Sequence, residues 1–361
     1  MGNLHSKKLS DHSLKPLPTS RPLPDTRNTD TMSQDNDPEP DEFTLTDDLK
    51  ILYFDGEPAI DPTGRTRFSH AQALAIFRDL VQDNLTLLGA AKAILDLLPD
   101  RSELNRNDKR GSVARGEGQS LSNLICDTAT QIPWNRPAQA RLVQLVMKIS
   151  ISEKVGGIST LANGISGFYS LEQFRIELYE SFWIADDLQS SRFPYPGKAP
   201  TPENQTLNFH AFLARLSAAG FFGSAGSSWG LRTCTGAFEV PVFEIESAED
   251  QAKVVLSELD QKRKELNISI AAVWVLLAGP TLYIETVEAP NPDEGADAYW
   301  NTGKLYSGPR FGIERWRFWK DGMAKRAEAE RMNPAHDGGG AGRGVAEMAV
   351  SMMDVIEKSR L

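Results

Sequence analysis

The sequence contains little cysteine, with only Cys126 and Cys234 among its 361 residues. Two cysteines are too few for a disulfide framework or for a zinc site built from thiolates. Both lie in apolar, helix-like stretches, which is typical of reduced and buried thiols. The N-terminus also lacks the apolar core of a cleavable signal peptide. Together these absences predict a cytoplasmic protein.

An excess of basic side chains is also missing. The 39 Lys and Arg residues against 49 Asp and Glu residues give a net charge of −10, whereas duplex nucleic acid requires clustered positive charge. The prediction therefore excludes nucleic acid as a partner. The five histidines are scattered, without an i, i+4 pair or an H-E-x-x-H motif, so we predict no metal site and no cofactor. The sequence leaves the oligomeric state open.

Charge is segregated in the first 48 residues. Residues 1–27 hold five basic and two acidic side chains, whereas residues 28–48 hold eight acidic and no basic ones. Prolines interrupt any helical period, and apolar residues are too sparse to repay the entropy of ordering. We therefore predict a disordered leader over residues 1–45 and a folded domain over residues 46–361.

The first residues carry a lipidation pattern. Gly2 and Ser6 fit the M-G-x-x-x-[ST] acceptor sequence for N-myristoylation, and Lys7 and Lys8 follow. One myristoyl chain binds a membrane only marginally, so the two lysines would add attraction to anionic lipid. This pattern predicts peripheral membrane attachment. The alternative is a chance match in a disordered tail, with Met32 as the true start.

From residue 46 onward the dominant apolar period is helical. It predicts a helical hairpin over residues 69–98 that is broken near Asn84, and Pro137 suits the first turn of a later helix. Long loops are predicted over residues 100–119 and 186–205. No run shows period-2 alternation, and no long repeat is evident. We therefore predict an all-α fold, a single irregular domain of roughly eight to ten helices.

The most apolar segment lies in the C-terminal half. Residues 268–284 are seventeen positions without a charge, with Gly279 and Pro280 near their end. This length is short for a membrane span, so we predict a central helix buried on all sides. A separate charged helix, capped by Ser247, is predicted just before it over residues 248–266.

Three motifs suggest enzyme chemistry but lack its context. Residues 226–230 match G-x-S-x-G, yet no core strand precedes Ser228 and no histidine is well placed as its base. The glycine-rich segment before the last helix lacks the P-loop lysine. Asp186 and Asp187 lack the further carboxylates of an aspartate-rich Mg²⁺ site. We therefore predict no catalytic residue and leave enzymatic activity undecided.

A tryptophan-rich helix is predicted over residues 312–331. Trp316 and Trp319 fall close together on it, and tryptophans at this spacing are more often core than part of a binding site. The alternative is an aromatic and basic surface that binds a partner or a lipid headgroup. In the core interpretation, the interleaved basic side chains reach solvent along apolar surface; they are Arg315, Arg317 and Lys320.

Two segments near the middle of the chain carry family motifs. Residues 136–143 (RPAQARLV) are similar to an H-P-x-Q-x-x-L-V helix start, with Arg136 in place of His. Residues 207–216 (LNFHAFLARL) resemble an N-A-F-x-A-R-L helix, with His210 in place of Asn. Both motifs are those of an uncharacterised, mostly fungal family of helical proteins, classed as a domain of unknown function.

Two further segments complete the resemblance. Thr235 to Glu239 stand where this family has R-x-A-L-E, and residues 308–320 resemble its E-R-W-x-F-W-K signature most closely. The resemblance spans roughly residues 49–331. It implies an all-α fold and gives no activity, substrate or cofactor, although some members sit beside fungal secondary-metabolite genes.

Two functions remain open. The first is a non-catalytic interaction or scaffold protein, which would bind a protein partner. The second is an enzyme or ligand-binding accessory protein of a fungal secondary-metabolite pathway. In the second case an apolar pocket between helices would be lined by His210, Arg215, Trp316 and Trp319.

Arg215 shares a helix with apolar residues and is predicted to be partly buried. A buried arginine needs a carboxylate partner, and Glu239 and Glu180 are the candidates. We favour a structural ion pair over substrate binding for this residue.

Overall fold

The computed structural model describes residues 69–98, 112–152, 154, 201–222, 224–241, 258–288, 301–333, 342 and 344–360. Over these residues the chain forms nine α-helices and one short π-helical segment, and no strand. The predicted all-α class is confirmed for this part of the chain. The predicted leader, with Gly2, Lys7 and Lys8, lies outside the described residues, as do Asp186 and Asp187.

The described chain begins with a helical hairpin. Helix α1 spans His70–Val81 and α2 spans Leu87–Leu97, which confirms the predicted break near Asn84. Ser69 and Thr86 cap the two N-termini. Each side-chain oxygen accepts a hydrogen bond from the backbone N–H three residues later, which satisfies one of the donors that a helix start leaves free.

Two helices joined by a short turn follow. Helix α3 spans Ser112–Gln131 and α4 spans Pro137–Ser150, so the predicted loop over residues 100–119 is wrong from position 112 onward. Glycine and serine lower the helix propensity there, but they extend a helix that the buried apolar residues after them stabilise. Pro137 occupies the first turn of α4 as predicted, where its missing N–H costs no hydrogen bond.

Helices α5 and α6 begin at residues with little apolar periodicity. Helix α5 spans Pro202–Ala218 and is capped by Thr201, so the predicted loop over residues 186–205 is wrong at its end. Helix α6 spans Ser224–Phe238 and includes the G-x-S-x-G match. Ser228 therefore lies within a helix, not at the strained strand-to-helix turn that exposes a nucleophile.

One helix stands where the sequence predicts two. Helix α7 spans Glu258–Tyr283 and continues as a π-helical segment over Ile284–Glu288. Only Asn267 separates the predicted charged and apolar helices, and one asparagine does not end a helix. Of the charged helix predicted over residues 248–266, residues 258–266 form the start of α7, and residues 248–257 lie outside the described chain.

Two helices close the described structure. Helix α8 spans Ile313–Met332 and α9 spans Val345–Arg360, which confirms the predicted tryptophan-rich helix. Gly312 precedes α8 with a φ of 125°, a conformation that favours glycine because it has no Cβ.

Helix α7 is the central element of the described helices. It packs against α5, α6, α8 and α9, while α1, α2 and α4 pack together and α3 and α4 contact α5. The stretch Gln261–Glu288 is long and apolar enough to cross a membrane, but 61% of its apolar 18-residue portion is buried inside the protein. The prediction of burial on all sides holds only from Ser269 to Val275, because Ile268, Leu276 and Leu277 are partly buried and Pro280 and Ile284 are exposed.

The approach of α6 to α7 depends on a glycine. A Cβ added at Gly230 would lie 2.5 Å from Leu282 Cδ2 and 2.8 Å from Trp274 Cε3, whereas a Cβ at Gly236, in the same helix, would meet nothing within 4 Å. We expect Gly230→Ala to lower the free energy of unfolding by about 1–3 kcal/mol through overpacking. Urea denaturation monitored by tryptophan fluorescence measures this change.

Gly236→Ala is the matched control for this prediction. It adds the same methyl group to exposed helix surface, so we expect it to raise the free energy of unfolding by up to about 1 kcal/mol through helix propensity. Equal effects of the two substitutions would contradict the close α6–α7 contact.

Candidate functional site

The candidate site centres on a buried carboxylate at the end of α6. Glu239 directly follows α6 and is fully buried. Its Oε1 accepts hydrogen bonds from Arg315 Nε and Trp319 Nε1, both at 2.7 Å. Its Oε2 accepts from Arg315 Nη2 at 3.1 Å and from the backbone N–H of Gly303 at 2.8 Å. Four donors therefore occupy the roughly four lone-pair positions of the carboxylate.

Arg315 lies in the first turn of α8 and is 1% exposed. Its Nη2 also donates to Thr235 Oγ1 at 2.9 Å and to the backbone oxygen of Asn301 at 3.3 Å, and its Nη1 donates to the backbone oxygen of Arg310 at 2.8 Å. The prediction that this arginine reaches solvent is wrong. A guanidinium can be buried when a bidentate carboxylate and carbonyl oxygens replace its water.

The segment 301–312 covers the ion pair. Besides the Gly303 contact, the backbone N–H of Leu305 donates to the backbone oxygen of Glu239 at 2.8 Å. A Cβ at Gly303 would lie 2.3 Å from that same oxygen, so the segment can approach this closely only with glycine at that position. The ion pair thus joins α6, α8 and this segment.

Burial also shifts the pKa of two neighbouring groups. Burial, with the charge of Glu239 adding and that of Arg315 opposing, raises the pKa of Cys234 from 9.0 to about 12. Burial likewise raises the pKa of Tyr306 above its ordinary value. A thiol and a phenol that stay protonated at neutral pH are poor nucleophiles. The surroundings of the ion pair therefore suit a structural role.

A second polar network joins α4 to α5. Gln139 Nε2 donates to the backbone oxygen of Asn208 at 2.8 Å, and Gln139 Oε1 accepts from Arg215 Nε at 3.2 Å. Arg215 Nη2 donates to the backbone oxygen of Trp134 at 3.1 Å. Asn208 Oδ1 accepts from the backbone N–H of Trp134 at 2.8 Å. The turn between α3 and α4 is thereby held against α5.

The contacts described for Arg215 are with neutral oxygen atoms. Of its two predicted carboxylate partners, Glu239 bonds to Arg315 instead, and Glu180 lies outside the described residues. Burial lowers the pKa of Arg215. Its guanidinium donates to the Gln139 amide oxygen and to the backbone oxygen of Trp134. Both are uncharged acceptors.

His210 connects α5 to the central helix. It is buried, and its Nδ1 accepts a hydrogen bond from Trp274 Nε1 at 3.3 Å. Burial lowers the pKa of His210 from 6.5 to about 3, so the imidazole is neutral at pH 7. A general acid or base works best when its pKa lies near the operating pH, and this histidine is far from that condition.

Both predicted tryptophans of α8 are fully buried. Trp316 packs edge-on against Tyr283 of α7, with ring centroids 5.2 Å apart. Trp319 donates to Glu239 and lies under the guanidinium of Arg315, whose Cζ is 5.2 Å from the ring centroid. The two rings serve different contacts of the same helix.

Ion pairs join the outer part of α8 to α9. Lys320 Nζ lies 3.1 Å from Glu357 Oε1 and also pairs with Asp354, while Arg317 Nε lies 3.4 Å from Glu357 Oε2. Burial acts to lower the pKa of Lys320, but its hydrogen bonds to the two carboxylates outweigh burial and raise it. These contacts place Asp354 and Glu357 on the edge of α9 that faces α8.

The predicted site residues are divided among separate contacts. Glu239 and Trp319 share the ion-pair network, whereas His210, Arg215 and Trp316 each belong to another contact. In the described ranges, no group of three or more His, Cys, Asp or Glu residues could hold a metal ion. Sequence reasoning missed the roles of three polar residues, although two of them stand in the motifs: Arg315, Gln139 and Asn208.

A comparison with known protein families gives a match over more than half of the chain. The sequence model of a family described as "Protein of unknown function (DUF3632)" matches residues 123–323. The chain belongs to the DUF3632 family. No curated protein and no solved structure matches it.

The matched range includes both networks and the motif segments on which the resemblance rests. The Gln of the first motif and the Arg of the second are Gln139 and Arg215, which bond to each other. The Glu of the third motif is Glu239, which bonds to Arg315 and Trp319 of the fourth. In this DUF3632 chain, four polar motif residues are therefore structural partners in two pairs, Gln139 with Arg215 and Glu239 with Arg315.

The buried state of His210 predicts an acid-dependent loss of stability. The unfolded chain takes up a proton near pH 6.5, whereas the folded chain does so only near pH 3. Stability due to the neutral imidazole is therefore complete above pH 6.5 and falls as the pH drops, by about 1.4 kcal/mol per pH unit between those values. Urea denaturation from pH 4 to pH 7 measures this slope.

His210→Asn is the reference variant, because asparagine can accept the Trp274 hydrogen bond without titrating. We expect the wild type to lose stability more steeply than this variant as the pH falls, by about one proton over this range. Parallel stability curves for the two proteins would show that His210 is not held neutral.

Proposed function

We propose that this DUF3632 protein is a non-catalytic interaction protein whose polar motif residues hold its helices together. The observation that carries the proposal is the complete use of the Glu239 carboxylate: four protein donors contact its two oxygens. A substrate-binding or catalytic carboxylate needs a free position for its ligand. The side-chain oxygens of Glu239 instead accept hydrogen bonds from α8 and from the segment 301–312.

The rest of the network supports the same proposal. Arg315 donates to the Glu239 carboxylate through two of its nitrogens. It also donates to three other oxygen atoms of the protein. The nearest thiol, Cys234, has a pKa of about 12 and stays protonated. A buried charge pair with all its partners in the protein favours one packing arrangement of helices over others.

The alternative proposal is an enzyme or ligand-binding accessory protein of a fungal secondary-metabolite pathway. It requires His210, Arg215, Trp316 and Trp319 to line one pocket. Their contacts instead lie in separate junctions, between α5 and α7, α4 and α5, α8 and α7, and α8 and α6. This distribution favours the interaction protein.

Substitution of the ion pair tests the proposed function. We expect Glu239→Gln and Arg315→Met each to lower the free energy of unfolding by about 3–5 kcal/mol, because each leaves one buried charge without its partner. The double variant Glu239→Leu/Arg315→Met removes both charges, so it should lose less than the sum of the single variants. Urea denaturation of the four proteins provides the measurement.

A small effect would reject the structural role. If Glu239→Gln remains within about 0.5 kcal/mol of the wild type, the network is not a structural junction.

The pattern at Gly2 supports a separable proposal, attachment of this interaction protein to a membrane surface. A myristoyl chain on Gly2 and the charges of Lys7 and Lys8 would act together, because one acyl chain alone gives marginal binding. We expect the wild type to sediment with membranes and Gly2→Ala to move to the soluble fraction. Lys7→Gln/Lys8→Gln should reduce sedimentation and keep the lipid, as mass spectrometry would show. Identical fractionation of wild type and Gly2→Ala would reject the anchor.

A further inference from the structure

Two rows of apolar side chains remain at the surface where α7 and α9 meet. On α7 and its π-helical continuation, Pro280 is exposed and Ile284 is 40% exposed, one turn apart. On α9, Met348 is 46% and Val355 is 61% exposed, with the partly buried Met352 between them. We call these five side chains the α7–α9 strip.

The two rows lie side by side. Gly342, just before α9, approaches Ser269, and Ile356, near the end of α9, approaches Gly279, so α9 runs in the same direction as α7. Gly279 immediately precedes Pro280, and a Cβ at Gly279 would lie 3.9 Å from Met352 Cγ. Met352 is therefore the point where the α9 row meets the α7 row.

The strip lies away from α8. Successive residues of a helix are rotated by about 100°, so Met348 and Val355 lie within about 20° of each other. The same rotation puts them about 100–180° from Asp354 and Glu357, whose ion pairs face α8. No charged residue lies between Met348 and Val355 on that face of the helix, because the intervening position is Met352.

The size of the strip favours a single helix as its occupant. With these exposures the strip presents on the order of 300–400 Å² of apolar surface, which is in the range of patches that are often functional. A stable dimer of standard size buries about 800 Å² on each partner. The strip is too small for that, whereas one amphipathic helix with anchors at i, i+3 or i+4, and i+7 matches its length.

Charge at the edge of the strip sets the direction of the partner. Glu347 and Lys358 are both exposed, and their separation of eleven residues returns to nearly the same line on the helix, about 17 Å apart. The strip is thus bordered by an acidic side chain at its start and a basic one at its end. A helix with acidic residues in its first turn and basic residues in its last turn complements this border when it lies antiparallel to α9.

We infer that the α7–α9 strip binds an amphipathic helix of another protein, antiparallel to α9, with an acidic N-terminal turn and a basic C-terminal turn. The inference rests on the proposed interaction function and names its partner by chemistry. The two methionines of the strip, Met348 and Met352, suit such a contact because a flexible thioether chain adapts to the shape of the bound face.

Two synthetic peptides provide the test. Each is a fluorescent sixteen-residue helical peptide with leucines at i, i+4 and i+7; one has Glu in its first turn and Lys in its last, and the other has these charges exchanged. Anisotropy titration against the full chain should show the first peptide binding about fivefold more tightly than the second, the effect of two edge charge pairs. The double variant Glu347→Lys/Lys358→Glu should reverse that preference.

Variants separate the strip from other surfaces. Val355→Asp should weaken both peptides at least tenfold, whereas Leu88→Asp, at a site on α2 that is 68% exposed, should leave binding unchanged. Three results would overturn the inference. They are equal effects of these two substitutions, no binding of either peptide when the protein is in 100-fold excess, and no preference between the peptides.

Other occupants give different results. Sedimentation that shows a wild-type dimer and a Val355→Asp monomer would assign the strip to a second copy. Phosphatidylcholine–phosphatidylserine vesicles that bind the wild type but not Val355→Asp would assign it to a membrane, and either result overturns the inference. A failed peptide test with the expected Glu239 and Arg315 destabilisation rejects only this surface, whereas a failed destabilisation test rejects the proposed function itself.

Discussion

The buried ion pair between Glu239 and Arg315 is the interaction on which the C-terminal half of the described structure depends. Two charges removed from water are stable only with close partners and satisfied hydrogen bonds, and here those partners come from α6, α8 and the segment 301–312. Each element is therefore fixed relative to the others. Trp319 of α8 links this ion pair to the core, because it donates to the same carboxylate and is itself fully buried.

In the N-terminal half, side-chain amides and backbone groups join the helices, alongside an ion pair between Arg141 and Asp83. Gln139 and Asn208 bond to backbone atoms of α5 and of the α3–α4 turn, and Arg215 bonds to the Gln139 amide oxygen in the same network. The hydrogen bond between His210 and Trp274 then connects α5 to the central helix. Several polar residues of the family motifs thus bond to groups inside the protein.

The sequence predicts most of the helices but little of their polar contacts. Apolar periodicity is local, so the hairpin break at Asn84 and the start at Pro137 are found correctly. Weakly apolar starts are not, as at Ser112 and Ser224. The burial of Arg315 could not be predicted, since it depends on a carboxylate 76 residues away in the chain, and hydropathy alone assigns arginine to the surface.

The sequence distance within the ion pair has a consequence for synthesis on the ribosome. At about 5–20 residues per second, Glu239 leaves the ribosome roughly 4–15 s before Arg315, which lies 76 residues later. During that interval the end of α6 carries an acid that cannot be buried without its counter-charge. For that interval Glu239 is without its counter-charge, so the buried junction between α6, α8 and the segment 301–312 can form only after α8 has been made.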